Sequence, residues 1–305
     1  MTDAAPRFRL QLKRWHRNLG LGLFGLVCFL LFLALTFPVD AARSRLQAEA
    51  ERAGLVLRMD SLSAGLFSMT ARRVRISRAA DFDAVPLVVD EMSVRPTFFP
   101  PGLAVQAALL GGSASASLPK SGQSLRLKMN GIDLSQANLK ALASVDATGK
   151  LDGEMSFDMP LVRGEADLSQ ASGVVRFNGT DLVLQGGTVT LPVFGTPTPV
   201  DLPRAALGSL DGEVTFERGA GTVQRLHIKG EDLESLATGT VKLARKPEYV
   251  ELALRLKLRL EADFLKRLGV VGAGFSVLPL DGELPGFRDL RVSGYLGTPT
   301  FAPGR

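Results

Sequence analysis

Three stretches of this chain hold carboxylates at a spacing that could do chemistry. Leu151–Phe157 reads LDGEMSF, Leu210–Phe216 reads LDGEVTF, and Leu280–Gly286 reads LDGELPG. Each places an Asp and a Glu on either side of a Gly. Such a pair works as general acid and base when its surroundings push the two pKa values apart, and with histidine it would ligate a metal. The chain has two histidines, His16 and His227, and one cysteine, Cys28. Thiolate and multi-histidine centres therefore lack their ligands, and no intramolecular disulfide is available.

The setting of the acids favours another role. Asp152-Gly153, Asp211-Gly212 and Asp281-Gly282 are dipeptides that favour turns or bulges, because Gly tolerates positive φ and Asp bonds its own backbone. The residues after the first two copies alternate as a strand does, with Met155 and Phe157 opposing Glu154 and Ser156. The same order of small residue, Gly and strand recurs from Ser172 (SGVVRF), Thr238 (TGTVKL) and Ser293 (SGYLGTP). All six Asp and Gly residues read as turn-forming, with the catalytic pair as the alternative. No G-x-S-x-G, H-E-x-x-H or G-x-x-x-x-G-K-[ST] occurs. His227 falls among basic residues on the wet side of an alternation. No catalytic, cofactor-binding or metal-binding residue is assigned, and the chain reads as a non-enzyme.

The elements that must position these residues are strands. In YVELALRLKLRLE, Tyr249–Glu261, the residues Val250, Leu252, Leu254, Leu256, Leu258 and Leu260 point one way. Glu251, Ala253, Arg255, Lys257 and Arg259 point the other, the mark of one dry face and one wet face. The dry face is either a closed core, covered by the rest of the sheet or by helices near 134–143 and 261–269, or an apolar groove. Shorter alternations run through Leu125–Asn130 and Thr222–Gly230. Helices are too few for a parallel βαβ sheet. With 46% hydrophobic residues, 7% aromatics, 32 Gly and 17 Pro, the composition fits a mainly β chain. The expected class is a mostly antiparallel, curved β-sheet or sandwich with a few short helices. Pro-rich segments break the pattern at 98–102 and 191–203, and the second is a candidate subdivision.

The formal net charge is +5, but residues 1–37 carry Arg7, Arg9, Lys13, Arg14 and Arg17 against Asp3 alone. What remains is 31 basic against 30 acidic residues, no excess with which to hold a phosphate backbone, so nucleic acid is not an expected partner. Residues 19–37, LGLGLFGLVCFLLFLALTF, carry no charge and would span nearly 30 Å as a helix, enough for a bilayer core. The flanking KRWHR, Lys13–Arg17, keeps the N-terminus cytoplasmic and sends everything after Pro38 across. The alternative is a cleaved signal peptide, but the run is long for one and Asp40 sits where a small residue is wanted. The organisation is thus a cytoplasmic tail (1–18), a membrane helix (19–37), a juxtamembrane helix (38–54) and a β-rich domain (55–305).

Four stretches carry a family resemblance: FPVDAARSRLQAEAERAGL after the apolar run, SLSAGLFSMTARRVRIS from Ser61, KMNGIDLSQANLKALA from Lys128, and VSGYLGTPTFAPG from Val292. With them the chain resembles the type II secretion system protein N family, and more distantly it is similar to AsmA-like envelope proteins. The resemblance implies a single-pass inner-membrane protein of a Gram-negative cell with a periplasmic β domain, an accessory subunit of protein export. It carries no catalytic residues and no cofactor. Two roles follow: a structural subunit meeting secretion-system partners through strand edges or the membrane helix, or a lipid-binding module using the dry face of the sheet.

Overall fold

The computed structural model describes residues 39–52, 55–65, 67–78, 87–137, 139, 145–162, 165–193, 196–246 and 249–304. The expected tail and membrane helix, 1–18 and 19–37, lie outside these residues. No helix among the described residues is long and apolar enough to cross a membrane.

Among the described residues the first element is helix α1 (Val39–Arg52), followed by a meander. The strands are β1 (Leu55–Ala64), β2 (Met69–Arg78), β3 (Leu87–Phe98), β4 (Pro101–Leu109), β5 (Gly112–Pro119), β6 (Ser124–Asp133) and β7 (Val145–Asp158). A two-stranded ribbon follows, β8 (Leu161–Val162) with β9 (Glu165–Ala166). The sheet resumes with β10 (Ser172–Val193), β11 (Thr196–Leu202), β12 (Ala205–Glu217), β13 (Ala220–Lys229), β14 (Leu233–Lys242) and β15 (Glu251–Leu260). Helices α2 (Ala262–Arg267) and α3 (Val270–Ser276) precede β16 (Arg288–Tyr295) and β17 (Thr298–Pro303).

Apart from the β8–β9 ribbon, every strand belongs to one 15-stranded sheet, and each pairs antiparallel with its neighbour in the chain. Short connections make this possible. Leu110-Gly111 and Arg218-Gly219 both take positive φ, at 49° and 69° and at 48° and 81°. That backbone twist matches the flanking strands of a two-residue hairpin. The antiparallel, mainly β expectation therefore holds. The sandwich does not: substantial contacts run between sheet neighbours, with α1 on β1 as an addition, so a single layer forms among the described residues.

One further expectation is corrected. The Pro-rich stretch at 191–203 divides nothing. It forms a hairpin, Gly187–Val193 of β10 against β11, while β10 pairs with both β7 and β12 and keeps the sheet continuous. Of the helix expected over 134–143, the described residues show a 3-10 turn at Leu134–Gln136 and a helical Leu139, and most of the rest lies outside them.

The two end strands of the main path are guarded against further pairing, while β11 pairs with β10 alone. Arg43 of α1 donates to the carbonyl of Met59, and Gln47 Nε2 donates to that of Leu57 at 3.2 Å. Helix α1 thus covers edge strand β1 with polar side chains, and its Leu46 is 41% exposed. At the far edge, β17 carries Pro299 and Pro303, which have no N–H to offer.

Candidate functional site

Register converts local alternation into one long surface. In an antiparallel pair, directly opposed residues share a face. Leu254 of β15 faces Gly239 on β14 and Val292 on β16, and Val292 faces Phe301 on β17. In the other direction Gly239 faces Val223, which faces Val214, then Val175, then Met155. The row continues through Leu127, Ala116, Val105, Val94 and Met69 to Ala64 on β1. It crosses fourteen strands without a polar residue. At about 4.8 Å per strand it runs for roughly 60 Å.

Parallel rows thicken this face into two patches of buried residues. Met59, Ala71, Val74 and Val89 form one on β1–β3. Phe157, Ala171 and Phe216 form the other with Met159, and the two rings meet edge to face at 5.3 Å. The predicted stripe Val250, Leu252, Leu254, Leu256, Leu258 and Leu260 lies on the same face, and all six residues are half-buried.

Residues 281–289, which lead from the helices into β16, fold onto the opposite side of β15. Lys257 Nζ meets Asp281 Oδ2 and Glu283 Oε2, both at 3.0 Å, and Arg259 lies over the Phe287 ring at 5.2 Å. Arg255 pairs with Asp289, whose side chain is 4% exposed. Arg288, which faces Leu258 on the leucine side, lies over the Phe275 ring of α3 at 5.8 Å and donates to the carbonyl of Leu278.

The LDGE copies are corrected here. Asp152-Gly153 and Asp211-Gly212 sit within β7 and β12 and form no turn; both strands flank β10. Asn178 pairs with Asp152 and Asp211, and Phe177 pairs with Gly153 and Gly212. A Cβ on Gly212 would stand 2.2 Å from the Phe177 ring, so this Gly leaves room for an aromatic residue on the apolar face. The acids look out of the other face. Asp152 Oδ1 accepts from the N–H of Gly131 at 2.7 Å, Asp211 pairs with Arg225 at 2.9 Å, and Glu213 pairs with Arg176 at 3.1 Å. Only Asp281-Gly282 lies in a turn, where Asp281 Oδ1 accepts from Glu283 and Leu284 N–H at 2.9 and 2.7 Å.

The sequence reading also missed a repeat. Asp133–Ala137 and Asp167–Ala171 both read DLSQA, and both make a 3-10 turn whose Asp accepts from the Ser backbone and hydroxyl. The hydrogen bonds from Ser135 and Ser169 hold both carboxyls below the usual range. Identity over five residues was the available signal.

The charged face offers a hollow of about 270 Å³ among Lys128, Asp152, Glu154, Arg176, Asp211 and Arg225. It is open to solvent, and Asp152 and Asp211 are engaged as described; Glu213 holds the Arg176 guanidinium above its ordinary pKa. His227 Nε2 lies 3.1 Å from Glu234 Oε1, and Arg259 bonds the other Glu234 oxygen. Among the described residues no group of three or more His, Cys, Asp or Glu is placed to hold a metal. Paired charges of this kind tie strands together; the unpartnered feature is the apolar face. Compared with family models, curated proteins and solved structures, the chain matches none.

Proposed function

We propose that this is a membrane-anchored envelope protein that holds the acyl chains of lipids along the apolar face of its sheet. The observation that carries the reading is the fourteen-strand row from Ala64 to Phe301, whose strands all belong to one sheet. Leaving such a surface to water is unfavourable by about 25 cal/mol per Å². A twisted open sheet of more than about ten strands curls or splits; curling toward the apolar side would shield that side and leave a trough.

The trough's chemistry suits acyl chains. A small-molecule pocket sets a few polar groups among its apolar walls to orient the ligand, and this row has none. Acyl chains need only apolar length, and roughly 60 Å would take several in file. The uncharged segment 19–37 would place the domain beside a lipid source, and the resemblance to AsmA-like envelope proteins supports the same role. A structural secretion subunit would need edges or surfaces to offer; one edge is covered by α1 and the other carries two prolines.

The test uses the full-length protein and its Leu254→Ser/Leu256→Ser variant, purified in mild detergent, with bound lipid extracted and weighed by mass spectrometry. On a half-exposed face the two hydroxyls can reach water, so the variant is expected to fold and to lose most of its phospholipid. A wild-type protein without stoichiometric phospholipid would overturn the proposal. So would a variant that unfolds, because buried hydroxyls without partners are the signature of a closed core.

A further inference from the structure

The corner of the sheet at β1–β4 carries a second cluster of exposed apolar residues, at the end of the strands that the long row crosses. Pairing of Ala64 with Met69, Phe98 with Pro101, and Gly102 with Pro119 sets the β1–β2, β3–β4 and β5–β6 turns at one end. There Phe67 is 56% exposed, Phe98 66% and Phe99 98%. The Phe67 and Phe98 rings meet edge to face at 6.5 Å, so the tip is an assembled cluster of aromatic side chains turned outward. Exposed Lys120 stands in the neighbouring turn, its N–H bonded to the carbonyl of Pro101 at 2.7 Å.

Helix α1 shows where the preceding chain arrives. Arg43 bonds Met59 and Gln47 bonds Leu57, so the helix runs antiparallel to β1 and its first residue points toward the end that carries the cluster. Val39 lies four helical residues before Arg43, about 6 Å. Ala64 lies five strand residues beyond Met59, about 17 Å. The tip therefore projects roughly 10 Å past the point where α1 begins. Two residues before Val39 the uncharged segment 19–37 ends.

We propose that the Phe67–Phe98–Phe99 tip is a second membrane contact, seated in the headgroup region of the leaflet from which the anchor emerges; this rests on the reading of 19–37 as that anchor. A chain that continues toward the bilayer along the line of α1 brings the tip down to the membrane, and a reach of about 10 Å matches the depth to which interfacial apolar groups sink. The ammonium of Lys120 then lies at the level of lipid phosphates, where a cation is favoured by an anionic surface. Two attachments fix the orientation of the sheet, which a single flexible tether would not, and hold the β1 end of the apolar row at the membrane.

The experiment uses the full chain in vesicles of phosphatidylcholine and phosphatidylglycerol. Trp15 is the only tryptophan, so Phe99→Trp in a Trp15→Phe background reports from the tip alone. The expected result is quenching by lipids bearing a nitroxide near the headgroup, loss of quenching by aqueous acrylamide, and recovery of acrylamide quenching when Phe67→Ser and Phe98→Ser are added. An alkaline wash of the same vesicles tests the anchor independently. A chain that resists the wash while its tryptophan stays open to acrylamide and silent to nitroxide lipid overturns the tip contact and leaves the anchor standing. Shielding from acrylamide without nitroxide quenching assigns the tip to a protein neighbour and overturns it too. A chain stripped by the wash removes both.

Discussion

Gly212 has an aromatic ring where its side chain would be. The Phe177 ring lies across it from β10, and Met129 Cε would stand 2.9 Å from a Cβ on Gly153, across the other side of the same aromatic row. Gly212→Val is expected to destabilise by about 1–3 kcal/mol, as overpacking does. Gly153→Ala should cost less, because a methionine terminus moves aside. Urea unfolding would measure both, and Phe177→Leu should recover much of the loss at Gly212 if the clash is its cause. Asp152 makes a separate contribution through the N–H of Gly131. Asp152→Asn keeps an acceptor and should be nearly neutral, whereas Asp152→Ala should cost about 1 kcal/mol. In the sequence the D-G pair reads as a turn because turns are the local use of that dipeptide. Its use here depends on Phe177, 24 residues downstream of Gly153 and 35 upstream of Gly212, a partner that no local pattern announces.

At the level of elements, the β15–β16 connection is latched to the charged face by Lys257 and Asp281. The Asp281 side chain is 3% exposed; its bond from Lys257 and two backbone N–H groups hold its carboxyl below the ordinary range, while Asp281 and Glu283 raise the Lys257 ammonium. A depressed carboxyl contributes stability that is present above its unfolded value of about 3.9 and is lost as pH falls through the folded value. A raised lysine contributes stability that is present below about 10.4 and is lost as pH rises through its folded value. Melting curves of wild type and Asp281→Asn should therefore lie apart at pH 7 and draw together as the pH falls from about 3.9. Equal separation throughout would show that the latch is not ionic. Exposed pairs such as Arg72–Glu91 should leave no comparable trace. That β15 is a strand was legible from its alternation alone. Which side its following segment would cover was not, because Lys257 and the leucines beside it offer partners on both faces.

For the whole molecule, one sheet with a continuous apolar face is the feature on which the proposed lipid-binding role rests. Its orientation is a further prediction. A reporter enzyme active only outside the cytoplasm, fused after Arg305, should be active, and the same reporter joined before Lys13 should be silent; the reverse pattern would invert the proposed topology. A mature N-terminus between Phe37 and Arg45 would show instead that the apolar segment is cleaved.

Period-two alternation, abundant Gly and scarce helix signals determined by themselves that this chain makes antiparallel strands, and they placed β6, β13 and β15 closely. They also placed α1, read over 38–54 and found over Val39–Arg52. Each of these is a property of neighbouring residues, and the backbone reads neighbours directly. What needed the tertiary structure was register. Only pairing puts Val175 beside Met155 and Val214 and makes one apolar row out of fourteen short stripes. A strand shows which of its residues share a side; it takes the whole sheet to show what, if anything, lies opposite that side.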